Sequence, residues 1–312
     1  MFRFALRRLV SSLITALLTA TLVYLALLAL PGNPMESILG LGRGNEEALA
    51  RQIGLARTPL ATYFDWLERL LRGNLGTSLL YGEPVSRLII DRLPITLPLI
   101  GEAILLSLLI SLPLGLGAAL SYGSFWDLLL TGFSQLGTLL PSFWLGLLLL
   151  LFFGLRLHWF PVSGFAGWNN GLAPALGSLF LPSLSLGLSE AAPLARQVRS
   201  GVLEAMRSEY VRTARAKGVS PLKVLLHHAL RNALLPIITL IGLEVPQLLA
   251  GSLILEQVFA LPGLGSLAFS ALQGHDYPLA QGVTLVYTLM TLLTSYLVDL
   301  AYAWIDPRIT YA

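Results

Sequence analysis

No cysteine occurs in the 312 residues, which excludes a disulfide framework and any thiolate metal site. Charge is scarce as well: Asp, Glu, Lys and Arg make up 12% of the chain, about half the share of an ordinary soluble domain. The four histidines are scattered apart from His227 and His228, which as neighbours point to different faces of a helix, so no metal set is expected. Three chemical signatures are missing. Without G-x-x-x-x-G-K-[ST] the chain has no phosphate loop, and Lys217-Gly218 lacks the glycines that would precede one. Neither the zinc-protease pattern H-E-x-x-H nor the nucleophile elbow G-x-S-x-G occurs. No catalytic residue is assigned, and the chain is not expected to be an enzyme.

What is present is apolar surface. Hydrophobic residues make up 55% of the chain and the mean hydropathy is +0.74, more than a soluble core can bury. Long apolar runs are therefore expected to be membrane spans, each needing about 20 helical residues. The formal net charge is only +3, with basic residues concentrated where membrane orientation uses them, so nucleic acid is not an expected partner.

Six apolar segments separate along the chain: residues 9–30, 95–120, 128–155, 172–194, 234–255 and 280–304. The first follows Arg3, Arg7 and Arg8 and stops at Pro31-Gly32-Asn33-Pro34. It is longer than a signal-peptide core and has no clear small-x-small cleavage site, so an uncleaved helix is expected. Residues 35–93 form the one long polar stretch, with balanced charge and the aromatic anchors Tyr63, Phe64 and Trp66, as in an interfacial cap of amphipathic helices. Three parts follow: residues 1–30 as amino terminus and first span, 31–94 as external cap segment, and 95–312 as a five-helix core containing a cytoplasmic loop at 196–233.

Orientation comes from the short loops. Arg196, Arg199, Arg207, Arg212, Arg215, Lys217, Lys223 and Arg231 crowd between the fourth and fifth segments, whereas residues 256–278 hold no basic residue. Retention of Lys and Arg on the inner side places both termini and the 196–231 loop in the cytoplasm. Within that loop, residues 204–217 are expected to be one helix, with Glu204 and Glu209 near its start and Arg215 and Lys217 in its last turn, matching the helix dipole. Gly218 suits the left-handed residue that ends a helix, and Ser220-Pro221 suits the start of a second. Small Ala214 and Ala216 permit close approach of a partner, to which Arg212, Arg215 and Lys217 offer charge. A topogenic basic loop that meets only anionic lipid explains the same residues.

Carboxylates inside apolar segments are costly and often functional. Glu102 lies in the second segment, Glu190 late in the fourth, Glu244 in the middle of the fifth and Asp299 near the end of the sixth. Glu102, Glu244 and Gln247 are candidates to line a route for a zwitterionic or cationic solute. A buried carboxylate satisfied within the bundle, with Gln247 and Ser252 as local partners of Glu244, is the plainer alternative.

The run Glu209-Tyr210-Val211-Arg212-Thr213-Ala214-Arg215-Ala216-Lys217-Gly218, followed by His228-Ala229-Leu230-Arg231-Asn232-Ala233-Leu234-Leu235-Pro236, resembles the cytoplasmic "EAA" loop of binding-protein-dependent ABC importer permeases. The resemblance extends to Gly73-Asn74-Leu75-Gly76-Thr77-Ser78, Pro141-Ser142-Phe143-Trp144-Leu145-Gly146, Phe259-Ala260-Leu261-Pro262-Gly263-Leu264-Gly265 and Asp306-Pro307-Arg308. Arg212-Thr213-Ala214 stand where Glu-Ala-Ala is usual, which is similar to the dipeptide, oligopeptide, glutathione and nickel branch.

The resemblance implies an all-α, multi-pass protein of a bacterial inner membrane with six transmembrane helices, supplying half of a translocation pathway for peptides. Nickel or glutathione as solute fits the same architecture. It further implies a second, related permease chain, one or two separate ATPase subunits that bind ATP and Mg, and an extracytoplasmic solute-binding protein. Residues 209–218 would then be the joint with the ATPase, and no cofactor is expected on this chain itself. A self-sufficient secondary transporter, the rival class, commonly carries paired inverted repeats, and no such pairing is visible here.

Overall fold

The computed structural model describes residues 2–29, 59–220, 223 and 230–305. All regular structure among them is helical, apart from an isolated bridge between Thr77 and Pro84. The helices are α1 (Phe2–Ala29), α2 (Pro59–Leu71), α3 (Val85–Leu120), α4 (Phe125–Leu139), α5 (Ser142–Leu149), α6 (Leu172–Met206), α7 (Glu209–Ala216), α8 (Leu230–Val258), α9 (Leu264–Gln273) and α10 (Tyr277–Ile305). Four stretches among the described residues are long and apolar enough to cross a membrane: Leu6–Leu27, Val85–Leu120, Leu172–Met206 and Tyr277–Leu300. The chain divides into two compact units, Met1–Thr96 with Pro262–Leu293 and Leu97–Leu261 with Thr294–Ala312.

In the first unit, α2 lies on α1 through aromatic rings. The Tyr24 ring centre is 5.2 Å from that of Tyr63 and 5.6 Å from that of Trp66, and Thr21 Oγ1 is 2.8 Å from the Tyr63 hydroxyl. Residues 72–84 form a tight turn, tied at its base by the Val85 amide donating to Gly76 O at 3.0 Å. Asp276, fully buried, holds that turn to the start of α10. Its Oδ1 accepts from the Leu279 amide at 3.1 Å, a helix cap, while Oδ2 accepts from Ser78 Oγ at 2.5 Å and the Leu80 amide at 3.1 Å. Thr96 Oγ1 accepts from the Leu264 amide at 2.8 Å, so α9 also begins with its first donor satisfied.

In the second unit, α6 is the central element, and its neighbours approach it at small residues. A Cβ on Gly137 of α4 would stand 2.4 Å from the Leu188 carbonyl oxygen. One on Gly187 of α6 would stand 2.9 Å from Ala103 O, and one on Gly115 of α3 would stand 2.6 Å from Ala195 O. Backbones this close gain the van der Waals packing that drives helix association where no water is present. Below that level Leu194, Val198 and Val202 of α6 form an apolar cluster with Ala119, joined by Leu112 and Leu116 of α3 and Leu240 and Ile241 of α8.

Three elements differ from the sequence expectation. The second segment starts at Val85 rather than at residue 95, because Val85, Leu88 and Ile89 carry the buried stripe back by more than two turns while Arg87 and Asp91 stay exposed. The third is not one continuous helix over residues 128–155. It breaks at Leu140, which is extended (φ −101°, ψ 129°), because the following Pro141 disfavours a helical residue before it. The helix restarts at Ser142 and finishes in a wider turn at Leu150–Arg156. Helix α9 was not foreseen within the 256–278 loop.

Candidate coupling site and interior carboxylates

The expected single helix over residues 204–217 is two helices. Helix α6 ends at Met206, Arg207 (φ −90°, ψ −8°) closes it, and α7 starts after Ser208. Ser208 Oγ donates to Ala205 O at 2.5 Å while its carbonyl accepts from the Arg212 amide at 3.2 Å, a local bonding pattern that competes with a continuous helix. Ser208-Glu209 was thus an unread break signal: a serine whose hydroxyl bonds back to the preceding turn, followed by an acid in the first turn of the next helix.

Helix α7 is a short projection. Val211 is fully buried and anchors it, whereas Glu209, Arg212, Thr213, Ala216 and Lys217 are exposed. Arg212 Nη1 lies 2.7 Å from Glu209 Oε1, a surface pair worth roughly 0–1 kcal/mol that leaves both groups available to a partner. Gly218 takes φ +77°, the left-handed conformation anticipated for the residue that stops this helix. Tyr210, Ala214 and Arg215 belong to the same helix. The second cytoplasmic helix expected beyond Pro221, with His227 and His228, lies outside the described residues, as do the Pro31–Pro34 and Asp306–Arg308 motifs.

The interior carboxylates occupy different settings. Glu102 on α3 is half-buried beside Ser183 of α6, whose Oγ lies 3.3 Å from Glu102 Oε2 and 3.1 Å from Leu99 O. Glu244 on α8 is 5% exposed, and its buried Oε2 has no hydrogen-bond partner among the described residues. Of the partners considered for it, Ser252 gives its proton to Leu249 O at 2.9 Å, and Gln247 is exposed. Glu190 of α6 is close enough for its charge to act on Glu244. A carboxylate within an apolar membrane helix is costly, by about 3 kcal/mol at the bilayer centre, and one oxygen of Glu244 has no donor among the described residues to offset that cost. Among the described residues no group of three or more potential metal ligands comes together.

One site had no sequence signal. Arg199 on α6 grips Asp127 at the start of α4 with two bonds, Nε to Oδ1 at 2.7 Å and Nη2 to Oδ2 at 2.8 Å. Asp127 also accepts from the Gly123 amide at 3.1 Å and Thr131 Oγ1 at 3.3 Å. The carboxylate is thus held by four donors, foremost the two from Arg199. The partners are 72 positions apart, beyond the reach of any local pattern.

Apolar helices of spanning length, a proline-broken segment and a short charged helix on a basic loop define a multi-pass membrane protein. The chain matches the family described as binding-protein-dependent transport system inner membrane component over residues 111–311, and that family's N-terminal membrane component over residues 1–100, and it belongs to that family. It is 37% identical over 311 residues to a probable peptide ABC transporter permease protein, y4tP, of Sinorhizobium fredii, covering 99% of each chain. It is 35% identical over 316 residues to the oligopeptide transport system permease protein AppB of Bacillus subtilis, covering 100% of each. In fold it is similar to a solved structure of the inward-facing MetNI methionine ABC transporter, with a TM-score of 0.59 at 17% identity over 70% of this chain and 96% of that one.

The Asp127–Arg199 pair predicts a stability effect. Asp127→Asn should lower stability at pH 7 by roughly 1–3 kcal/mol, since it leaves the Arg199 guanidinium poorly matched. Thermal unfolding in detergent should show the loss, and Arg199→Gln added to Asp127→Asn should cost little more, because one link is already broken. Wild-type stability in Asp127→Asn, or additive losses in the double variant, contradicts the assignment.

Proposed function

We propose that this chain is one permease half of an ATP-driven importer of peptides. Its six spans are α1, α3, the α4–α5 pair, α6, α8 and α10. Both termini and residues 196–233 face the cytoplasm, while the 31–94 cap segment and the 256–279 loop face outward. A second, related permease chain completes the pathway. One or two ATPase subunits hold ATP and Mg, and an extracytoplasmic binding protein delivers the solute. Peptide as the solute class is carried over from the full-length relatives, a probable peptide permease and an oligopeptide permease.

The observation that carries this reading is α7: a two-turn helix seated by Val211, charged on its exposed positions and stopped by Gly218 at φ +77°. Such a compact knob can be gripped in a cleft, whereas a loop serving only to retain positive charge needs no defined end. Closure of the ATPases on ATP pulls α7. Its two-residue link to α6 passes the movement into the bundle, which rocks against the partner permease to expose the route alternately to each side. In this account the catalytic work is done entirely by the partners.

Glu244, with Glu102 and Gln247, lines the solute route. The support is the buried, unpartnered Oε2 of Glu244, which a passing peptide ammonium group would satisfy. Glu244→Gln keeps the shape and removes the charge; we expect peptide uptake to fall about tenfold with the amount of assembled complex unchanged. Wild-type uptake at wild-type assembly removes Glu244 from the route.

The coupling role is tested at the knob. Gly218→Val forces a β-branched residue into positive φ, at a cost of about 1–3 kcal/mol confined to the turn. Arg215→Glu reverses charge on the projection while leaving a helix-compatible residue. Both variants should insert in the membrane normally yet lose at least tenfold in uptake, with less ATPase co-purified or with hydrolysis no longer stimulated by loaded binding protein. Normal uptake and stimulation in both would reduce the loop to a topogenic segment.

A further inference from the structure

The C-terminal end of α6 meets the turn between α3 and α4 at the Asp127–Arg199 pair and at the ring of Tyr122. That turn is rigid. The Ser124 amide donates to Ser121 O at 2.9 Å, Gly123 takes φ +75°, and the Gly123 amide donates to Asp127, which Arg199 holds with two bonds. Tyr122 projects from the turn, and two guanidinium groups of α6 lie against its ring, Arg199 at 5.5 Å from the centre and Arg207 at 5.8 Å. Positions 199 and 207 are about two turns apart on one face of the helix. Between them Ser200, Leu203 and Glu204 line, with Tyr122 and the two arginines, a cavity of about 370 Å³. The ring is therefore held by the attraction of cations for its face and not by close packing, which leaves room for a shift.

Arg207 is also the residue that closes α6 immediately before α7. Any displacement of α7 reaches α6 through Ser208 and Arg207. The nearer arginine is fixed to α4 through Asp127, whereas Arg207 is exposed. The ring of Tyr122 thus joins a fixed cation and one that moves with the projection.

We propose that Tyr122 is a positioning residue, the contact through which movement of α7 at Arg207 reaches the α3–α4 turn. The proposal rests on the reading of α7 as the ATPase joint and adds the path that leads from it into the bundle. Because Tyr122 is 58% exposed, replacing it opens no hole in a packed core, and insertion and assembly are expected to stay normal.

The test uses the full complex in proteoliposomes, with its ATPase and peptide-loaded binding protein. Tyr122→Leu and Arg207→Gln should each lower solute-stimulated hydrolysis and uptake at least fivefold while the ATPase co-purifies in full. The double variant should be no worse than either single one, because both break one link. Tyr122→Phe keeps the ring and should stay within twofold of wild type. Wild-type stimulation in Tyr122→Leu, additive losses in the double variant, or loss of ATPase or membrane insertion in step with uptake overturns the proposal. Gly218→Val run alongside separates the two readings. If it uncouples the complex and Tyr122→Leu does not, only the relay is wrong; if neither uncouples, the joint itself is wrong.

Discussion

Helix α6 touches its neighbours where no side chain stands between backbones, and the second unit is arranged around that constraint. The Gly137, Gly187 and Gly115 contacts bring α4 and α3 against α6 at distances that leave no room for a methyl group. A helix bundle in lipid gains little from hiding apolar surface, so this packing supplies much of its cohesion. It also makes α6 a lever, because an element held that closely along its length passes a push at one end to several helices. Its C-terminal end carries the Asp127–Arg199 pair and, two residues on, α7. The functional reading thus depends on α6 being stiff and α7 being rigidly attached to it.

Much of this was legible in the sequence, and for a physical reason. Membrane spans are written in composition, so the apolar segments announced themselves, and the basic loop was conspicuous because charge is otherwise scarce. Gly218 could be placed in the left-handed region because a glycine following a basic last turn has few other uses. The break at Leu140 was readable in principle from Pro141 but lost in an unbroken apolar run, and the break at Arg207–Ser208 was hidden by favourable charge placement on either side of it. Ser208 marks the break, its Oγ bonded back to Ala205 O, a local bond that competes with a continuous helix.

What could not be read were contacts between distant positions. Asp276 to Ser78 and Arg199 to Asp127 join residues 198 and 72 positions apart, and nothing in the local sequence marks Asp127 or Asp276 as different from any loop acid. Glu244 is the converse case. Its cost was evident from sequence alone, but only the fold shows that the serine offered as its partner is bonded elsewhere and that one oxygen is left without a donor among the described residues.

If α7 is held by the ATPase, direct contact reveals it better than loss of function. The chain has no cysteine, so one introduced at Thr213, exposed on α7, is unique. A short bifunctional thiol-to-amine reagent added to the assembled complex should join this chain to the ATPase subunit in high yield, and binding of ATP should change that yield. A cysteine at Thr213 that reacts freely in the complex, gives no cross-link to the ATPase and is labelled equally with and without ATP would contradict the account.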